Sequence, residues 1–119
     1  MAKSAVVVSW GALIPGREAA GKRVLGEALA YLEGLQRAQR IDSFEAVALD
    51  PHGGDLHGFV LVKGERDAIE AMRADEVFQR IAVRVQLVHE RVRIVGAYSG
   101  AELGQLFEIW DREEEQVLR

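Results

Sequence analysis

The stretch over residues 43–64, SFEAVALDPHGGDLHGFVLVKG, constrains the fold of this chain more than any other. Two apolar runs flank the turn sequence Pro-His-Gly-Gly-Asp. Strand-forming runs on both sides of such a turn predict a β-hairpin. Since the two strands of a hairpin pair antiparallel, the remaining elements have to be arranged around an antiparallel sheet.

Apolar periodicity predicts the other elements. A β-branched run closed by Gly11 indicates a first strand, and an apolar stripe at spacings of three and four indicates a long first helix. Asp75 is a candidate N-cap where helix resumes after a break. We expect strands at residues 5–11, 44–50, 56–63 and 92–98, and helices at 17–41, from 65 to a break at 73–75, from there through 85, and from 101 onward.

The order of these elements is β-α-β-β-α-β, followed by a terminal helix. This is the ferredoxin-like split βαβ plan. With right-handed crossovers, it predicts an α+β fold with a four-stranded antiparallel sheet in the order 4-1-3-2. A chain of 119 residues has the length of one domain, so we expect a single domain over residues 1–119.

Alternation along the strands assigns each strand residue to one of two faces. The face that carries Gly58 and Gly96 holds no charge and several small residues, so we assign it to the helices. The other face, called the open face below, is apolar in its middle. An apolar face needs a cover, and we expect a second copy of the chain to supply it, as a homodimer through the sheet. The open face comprises Ala5, Val7, Ser9, Glu45, Val47, Leu49, His57, Phe59, Leu61, Lys63, Arg93, Val95, Ala97 and Ser99.

Composition excludes several classes of function. The net charge of −4, without a cluster of Lys and Arg, disfavours nucleic acid as a partner. The chain has no cysteine, which excludes disulfides and thiolate chemistry. The opening apolar run, AVVVSWG, is too short for a signal-peptide core or a membrane span. We therefore expect a cytoplasmic protein that does not act at a membrane.

The whole chain, in the order of its elements, resembles the dimeric α+β barrel superfamily. The resemblance rests on AVVVSWG at 5–11, on HGFVLVKG at 57–64 entering the helix ERDAIEAM at 65–72, and on RVRIVGAY at 91–98. That superfamily includes cofactor-free monooxygenases of the antibiotic-biosynthesis type and muconolactone-isomerase-like proteins. The resemblance implies two sheets packed face to face in a dimer, and a pocket between each sheet and its own helices or within the barrel.

The function that the resemblance implies is binding of a small apolar or aromatic molecule, with oxygenation or isomerisation that needs no cofactor. The alternative is a non-catalytic module, either a ligand sensor or a structural homodimer. An enzyme would lose turnover when its base is replaced, whereas a structural subunit would have no enclosed pocket at all.

Strand direction brings three polar residues of the open face, Ser9, His57 and Arg93, to the same end of the sheet. Glu45 and Lys63 fall at the opposite end. A His beside an Arg suits deprotonation followed by stabilisation of the anion, so His57 is the candidate base and Arg93 the candidate anion stabiliser. The alternative is an interface role for His57 and a solvated Arg93. Candidate ligand-contacting residues are Ser9, Trp10, His52, Phe59 and Tyr98.

Two further patterns resemble ligand-binding motifs, but we do not predict a binding site from either. His52 and His57, with Asp50 and Asp55, surround the hairpin turn, but their spacing matches no metal motif, so we expect no metal. The segment GREAAGKR at 16–23 resembles the start of a phosphate loop, but Arg23 stands where that motif needs Ser or Thr. His89 at a helix end requires only the helix dipole as explanation.

The aromatic residues allow two interpretations. They line an apolar pocket, or they simply fill the core, which is the more common role of aromatic side chains. The residues concerned are Trp10, Tyr31, Phe78, Tyr98 and Trp110.

Overall fold

The computed structural model describes residues 2–119. The predicted order of elements is confirmed, including the break in the second helical segment. The elements are β1 (Lys3–Trp10), α1 (Glu18–Arg37), β2 (Ser43–Ala48), β3 (Gly58–Glu65), α2 (Arg66–Ala74), α3 (Glu76–Val88), β4 (Arg93–Ala97) and α4 (Ala101–Leu118).

The first helix ends earlier than its periodicity predicts. The helix reaches Arg37, and Gln39 takes a left-handed conformation with φ of 58°. The N–H of Arg40 then donates to the carbonyl of Leu35 at 2.9 Å, a bond that closes many helix C-termini. Ile41 is buried and belongs to the core, but as part of the connection to β2 rather than as part of the helix.

The four strands form one antiparallel sheet in the order β2-β3-β1-β4, which confirms the predicted order 4-1-3-2. In the central pair, Val6 of β1 lies opposite Val62 of β3. Both side chains are almost fully buried, at 0% and 1% exposure. The face assigned to the helices is therefore the core face.

The core lies between that face and the helices, which pack on one side of the sheet. Ile69 and Met72 of α2 are each 2% exposed and lie in the same cluster as Val6 and Val62. Asp75 accepts a hydrogen bond from the N–H of Val77 at 3.0 Å, so it is the N-cap of α3 as its sequence position predicts. This cap separates α2 from α3 and turns α3 back along α1.

The segment after β1 is paired with the segment after α3. The N–H of Gly11 donates to the carbonyl of Glu90 at 2.8 Å, and the N–H of Glu90 donates to the carbonyl of Ala12 at 2.8 Å. A Cβ at Gly11 would lie 2.9 Å from the carbonyl of Glu90 and 3.0 Å from that of Asp55. Glycine is therefore required where these three segments meet.

The open face is apolar at its centre. Val95 is 53% exposed and Leu49 is 37% exposed, while Val7, Phe59 and Leu61 are half-buried. Among the described residues, α1 packs against β2 and α2 packs against β1 and β3, while α3 packs against α1 and α2.

Helix α4 projects from the rest of the protein. It contains no buried residue, and Phe107 and Trp110 are 59% and 66% exposed. The radius of gyration is 16.5 Å, whereas a compact domain of this length has about 13–14 Å. Among residues 2–119, no helix carries an apolar stretch long enough to cross a membrane.

Candidate functional site

An apolar cavity lies between the core face of the sheet and helices α1 and α3. Its volume is about 60 Å³. The lining residues are Val8, Trp10, Val24, Leu25, Ala28, Tyr31, Leu32, Val60, Val62, Phe78, Ile81, Ala82, Val85, His89 and Ile94.

The two helices that wall the cavity run antiparallel. Gly21 near the start of α1 lies beside Val88 at the end of α3. Glu27 forms an ion pair with Arg84 further along both helices. Among the lining residues that the structure describes, Leu25 alone is exposed, at 38%, so the mouth of the cavity lies on the α1 side.

Few polar residues line the cavity. Tyr31 and His89 are the lining residues with strong hydrogen-bonding side chains besides the indole N–H of Trp10. His89 follows the last residue of α3, and Tyr31 lies ten positions after Gly21 on α1. Ten helical residues span about 15 Å, so the backbones of the two polar residues are well separated along the cavity.

His89 is held by backbone contacts. Leu13 and His89 form an isolated antiparallel bridge, and Nδ1 of His89 lies 3.1 Å from the carbonyl oxygen of Gly11. A carbonyl can only accept, so Nδ1 donates and carries the hydrogen. In the neutral ring the lone pair is therefore on Nε2, which makes His89 an oriented proton acceptor. Its ring also contacts that of Trp10, with centroids 5.8 Å apart.

Tyr31 presents an unused hydroxyl group. The hydroxyl oxygen is buried and has no hydrogen-bond partner among the described residues. Burial raises the pKa of Tyr31, and the negative charge of Asp75 acts in the same direction, against a smaller opposing effect of Arg40. The group is therefore a neutral, buried hydroxyl.

One wall of the cavity depends on Gly58. The indole of Trp10 occupies the space where a side chain at Gly58 would begin, and a Cβ there would lie 2.7 Å from Cζ2 of Trp10. The same Cβ would lie 2.8 Å from the carbonyl oxygen of Val47 on β2. The hairpin therefore sets the position of the Trp10 ring.

The residues predicted as base and anion stabiliser lie on the open face, away from this cavity. Arg93 on β4 and Phe59 on β3 pair with Ser9 from the two sides of β1. His57 is two residues from Phe59 and one row nearer the turn. With β1 between them, the Cα atoms of His57 and Arg93 are roughly 12 Å apart. They share a face and an end of the sheet, as predicted, without direct contact.

Of the other predicted ligand-contacting residues, the structure places Trp10 in the cavity and four elsewhere. Ser9 is 8% exposed on the open face beside half-buried Phe59. Tyr98 is 60% exposed, in a groove beside the first turns of α4. His52 closes the hairpin turn: its Nε2 donates to the carbonyl of Leu56 at 2.8 Å, and its Nδ1 accepts from the N–H of Gly54 at 3.2 Å.

The structure also shows the surroundings of the possible metal ligands at the hairpin turn and of the phosphate-loop-like segment. Within residues 2–119, no three His, Asp or Glu side chains converge as a metal site would require. At the phosphate-loop-like segment, the N–H of Gly16 donates to the carboxylate of Glu18 at 3.1 Å. The backbone N–H of Glu18 and that of Gly16 lower the pKa of this carboxyl, so the amide at the start of the segment is already used.

Of the polar residues that line the cavity, His89 was not predicted as a site residue, and Tyr31 was predicted only as one of the aromatic residues that line a pocket or fill the core. No local sequence pattern identifies His89 as a site residue, because its position depends on pairing between two irregular segments. The aromatic set was a better guide. Trp10, Tyr31 and Phe78 line the cavity, whereas Tyr98 and Trp110 are exposed.

No family model matches the chain, and no curated protein matches it. Solved structures do. A dimeric ferredoxin-like protein of unknown function from Jannaschia sp. CCS1 is 15% identical with a TM-score of 0.64, and covers 82% of this chain and 100% of its own. A dimeric protein of unknown function and ferredoxin-like fold from Bacteroides fragilis is 11% identical with a TM-score of 0.60, and covers 80% and 94%.

A third similar structure has a stated activity. SnoaB, a cofactor-independent oxygenase from Streptomyces nogalater, is 14% identical with a TM-score of 0.57, and covers 84% of this chain and 95% of its own. These likenesses confirm the ferredoxin-like α+β fold that the sequence predicts.

Proposed function

We propose that this protein binds a small, largely apolar organic molecule in the cavity between the sheet and helices α1 and α3. The observation that carries the proposal is a cavity of about 60 Å³ inside an apolar core, with an oriented imidazole in its wall. Well-packed interiors leave few spaces larger than a water, and ligand sites are typically apolar with a few placed polar groups.

The chemistry proposed for this site is proton abstraction by Nε2 of His89. A bound molecule with an acidic C–H or O–H gives its proton to Nε2, while the Gly11 carbonyl holds the ring in the tautomer that accepts it. For isomerisation, the same proton returns at another carbon of the anion.

For oxygenation, the co-reactant is dioxygen. A carbanion formed from a CH₂ group adds O₂ to give a peroxide anion, which takes a proton and then loses water to leave a carbonyl. The CH₂ carbon is oxidised by four electrons, and O₂ is reduced to the carbonyl oxygen and one water. The likeness to SnoaB, a cofactor-independent oxygenase, supports this version of the proposal.

Binding is tested by filling the cavity. Ala28 lines it, and Ala30 lies two residues further on the same helix and is exposed. Toluene added to the wild type should raise the midpoint of thermal unfolding, Ala28→Phe should abolish this shift, and Ala30→Phe should keep it. A wild type that shows no shift with toluene or similar one-ring probes would refute the binding proposal.

Catalysis is tested by oxygen uptake with a panel of small 1,3-diketones and hydroquinones. His89→Gln retains a donor for the Gly11 carbonyl but removes the base, so it should lower the rate by roughly 10²–10⁴-fold. His57→Ala and Arg93→Ala should leave the rate within a few-fold. Loss of turnover in the His57 or Arg93 variant, with His89→Gln still active, would move the reaction to the open face.

We further propose that the protein is a homodimer through the open face. The exposed Val95 and the half-buried Leu61 on that face, with the exposed Leu49 beside the hairpin turn, support an apolar contact, as do the dimeric similar structures. Light scattering at micromolar concentration should give twice the mass of the chain. Leu61→Glu should give monomers, because it places a charge at the centre of the contact. Val83→Glu, at an apolar side chain of α3 that is as exposed as Val95, should leave the dimer intact.

A further inference from the structure

We propose that α4 is a dimerisation arm, whose exposed apolar stripe is buried against the second copy of the chain. The inference rests on the homodimer proposed above and adds to its interface an element that lies outside the sheet. The residues of this stripe, called the α4 stripe below, have the helical spacing i, i+4 and i+7 and are Leu103, Phe107 and Trp110.

The first argument is the missing packing partner of α4. The helix has 18 residues and none of them is buried, and Phe107 and Trp110 are 59% and 66% exposed. Helices in proteins gain most of their stability by packing an amphipathic face against other elements. Within residues 2–119, the hydrogen bond that joins α4 to a strand lies at its first turn, where the N–H of Lys3 donates to the carboxylate of Glu102 at 3.2 Å. The α4 stripe therefore needs a surface that the described part of its own chain does not provide.

The second argument is that the open face continues into α4. A hollow of about 210 Å³ lies at one end of the open face, and its lining joins three strands of the sheet to the start of α4. The open-face residues in this lining are Ala5, Lys63, Ala97 and Ser99, and those at the start of α4 are Gly100 and Glu102. Beside it, Leu106 and Ile109 of α4 line a groove of about 500 Å³ together with Ala5 and Ala97. A second copy seated on the open face would therefore lie next to α4.

The third argument is the area that a stable dimer needs. Since a buried aromatic side chain contributes about 150–250 Å², the exposed parts of Phe107 and Trp110 amount to roughly 200–300 Å² in each chain. A two-fold dimer uses the same surface of both copies, which gives roughly 400–600 Å². This is about a quarter to a third of the roughly 1,600 Å² that a standard interface buries. The α4 stripe therefore supplies a substantial part of a stable contact.

The test compares two double variants of α4 in the full chain. Phe107→Ala with Trp110→Ala removes the aromatic side chains of the α4 stripe. The control, Glu108→Ala with Arg112→Ala, changes two exposed side chains on the opposite side of the helix and keeps the net charge. Alanine is the strongest helix former, so both variants retain α4.

Dilution series in the analytical ultracentrifuge give the dissociation constant of each dimer. The aromatic variant should raise this constant by at least roughly 30-fold, the effect of losing one hot-spot residue of an interface. The control should stay within about threefold of the wild type, as surface substitutions usually do. An aromatic variant with the dissociation constant of the wild type would refute the inference.

Hydrogen exchange followed by mass spectrometry shows where α4 packs. Its amides should be protected in the wild-type dimer and should lose this protection in monomers of Leu61→Glu. Equal protection in those monomers would mean that α4 packs on its own chain, and no protection in the wild-type dimer would mean that its stripe is left for a different protein. Either result refutes the inference and leaves the open-face dimer standing. A monomeric wild type, or a Leu61→Glu variant that remains a dimer, would instead refute the open-face dimer on which the inference rests.

Discussion

Replacement of Gly58 by alanine tests whether the hairpin shapes the cavity. The added Cβ would lie 2.7 Å from Cζ2 of Trp10 and 2.8 Å from the carbonyl oxygen of Val47. Carbon atoms prefer separations of about 3.5–4.0 Å. The Val47 carbonyl is fixed by the pairing of β2 with β3, so the Trp10 ring is the part that can move, and the free space next to it is the cavity.

The expected cost is that of overpacking, about 1–3 kcal/mol. Unfolding entropy is about 2.1 cal/mol/K per residue, which for 119 residues gives about 0.25 kcal/mol/K. Gly58→Ala should therefore lower the unfolding midpoint by about 4–12 °C. It should also weaken toluene binding, because the displaced indole occupies ligand space.

The matched control is Gly96→Ala. Gly96 is on the same face of the sheet, on β4, and a Cβ there would meet no atom within 4 Å. This variant should be neutral or more stable by about 0.4–1 kcal/mol, because alanine restricts the unfolded chain. Calorimetry and NMR titration of both variants provide the readouts. A Gly58→Ala protein with wild-type stability and wild-type toluene affinity would show that Trp10 is not positioned as described.

Three further predictions concern the core and two ionisable groups. Ile69→Ala, at a side chain 2% exposed, should cost about 2–5 kcal/mol in urea unfolding; a loss below about 1 kcal/mol would contradict the described core. Hydrogen bonds to Asp42 and then to Glu65 raise the pKa of Lys3 above its ordinary 10.5. The stabilisation by these bonds is complete below that value and is lost as the pH rises through the raised pKa. Lys3→Met should therefore flatten the alkaline end of a plot of unfolding free energy against pH, and an unchanged plot would contradict a stabilising role of these bonds. Burial raises the pKa of Tyr31 above 10.0, so the protein is more stable below that value and loses this stability at higher pH; Tyr31→Phe should remove the most alkaline component of the tyrosinate absorbance, and loss of an earlier component instead would count against burial.

The order of elements and of strands was predictable because each rests on local pattern. Alternation in β1 and β3 placed Val6 and Val62 on one face, and the turn at 51–55 joined β2 and β3 as a hairpin. Right-handed crossovers then left one sheet order. The C-terminal limit of α1 was not predictable, because the apolar Ile41 continues its pattern while the backbone reverses at Gln39.

The glycines of α1 show the limit of local reasoning in another way. A Cβ at Gly21 would overlap Cδ2 of Leu13, so this glycine allows a close approach of the loop to the helix. Gly26 and Gly34 have no atom within 4 Å of such a Cβ. Sequence position does not distinguish the three, since the difference depends on which part of the helix meets the segment after β1.

The site was less predictable than the fold. Sequence reasoning favoured His57 and Arg93 because strand direction places polar residues at one end of a face, and that placement is correct. The enclosed cavity lies on the other face, and its imidazole comes from His89, next to a helix end. Pairing of Leu13 with His89 joins residues 76 positions apart outside any regular strand, and no periodicity in the chain encodes it.

Gly11 lies where the hairpin turn, the end of β1 and the segment after α3 meet. Because a Cβ at Gly11 would lie within 3.0 Å of the carbonyl oxygens of both Asp55 and Glu90, main-chain atoms set the spacing of the three segments. Substitution of the surrounding side chains leaves that spacing unchanged. The imidazole of His89, bonded to the same glycine, is therefore linked to the turn on the opposite side of β1, and a displacement of one requires a displacement of the other.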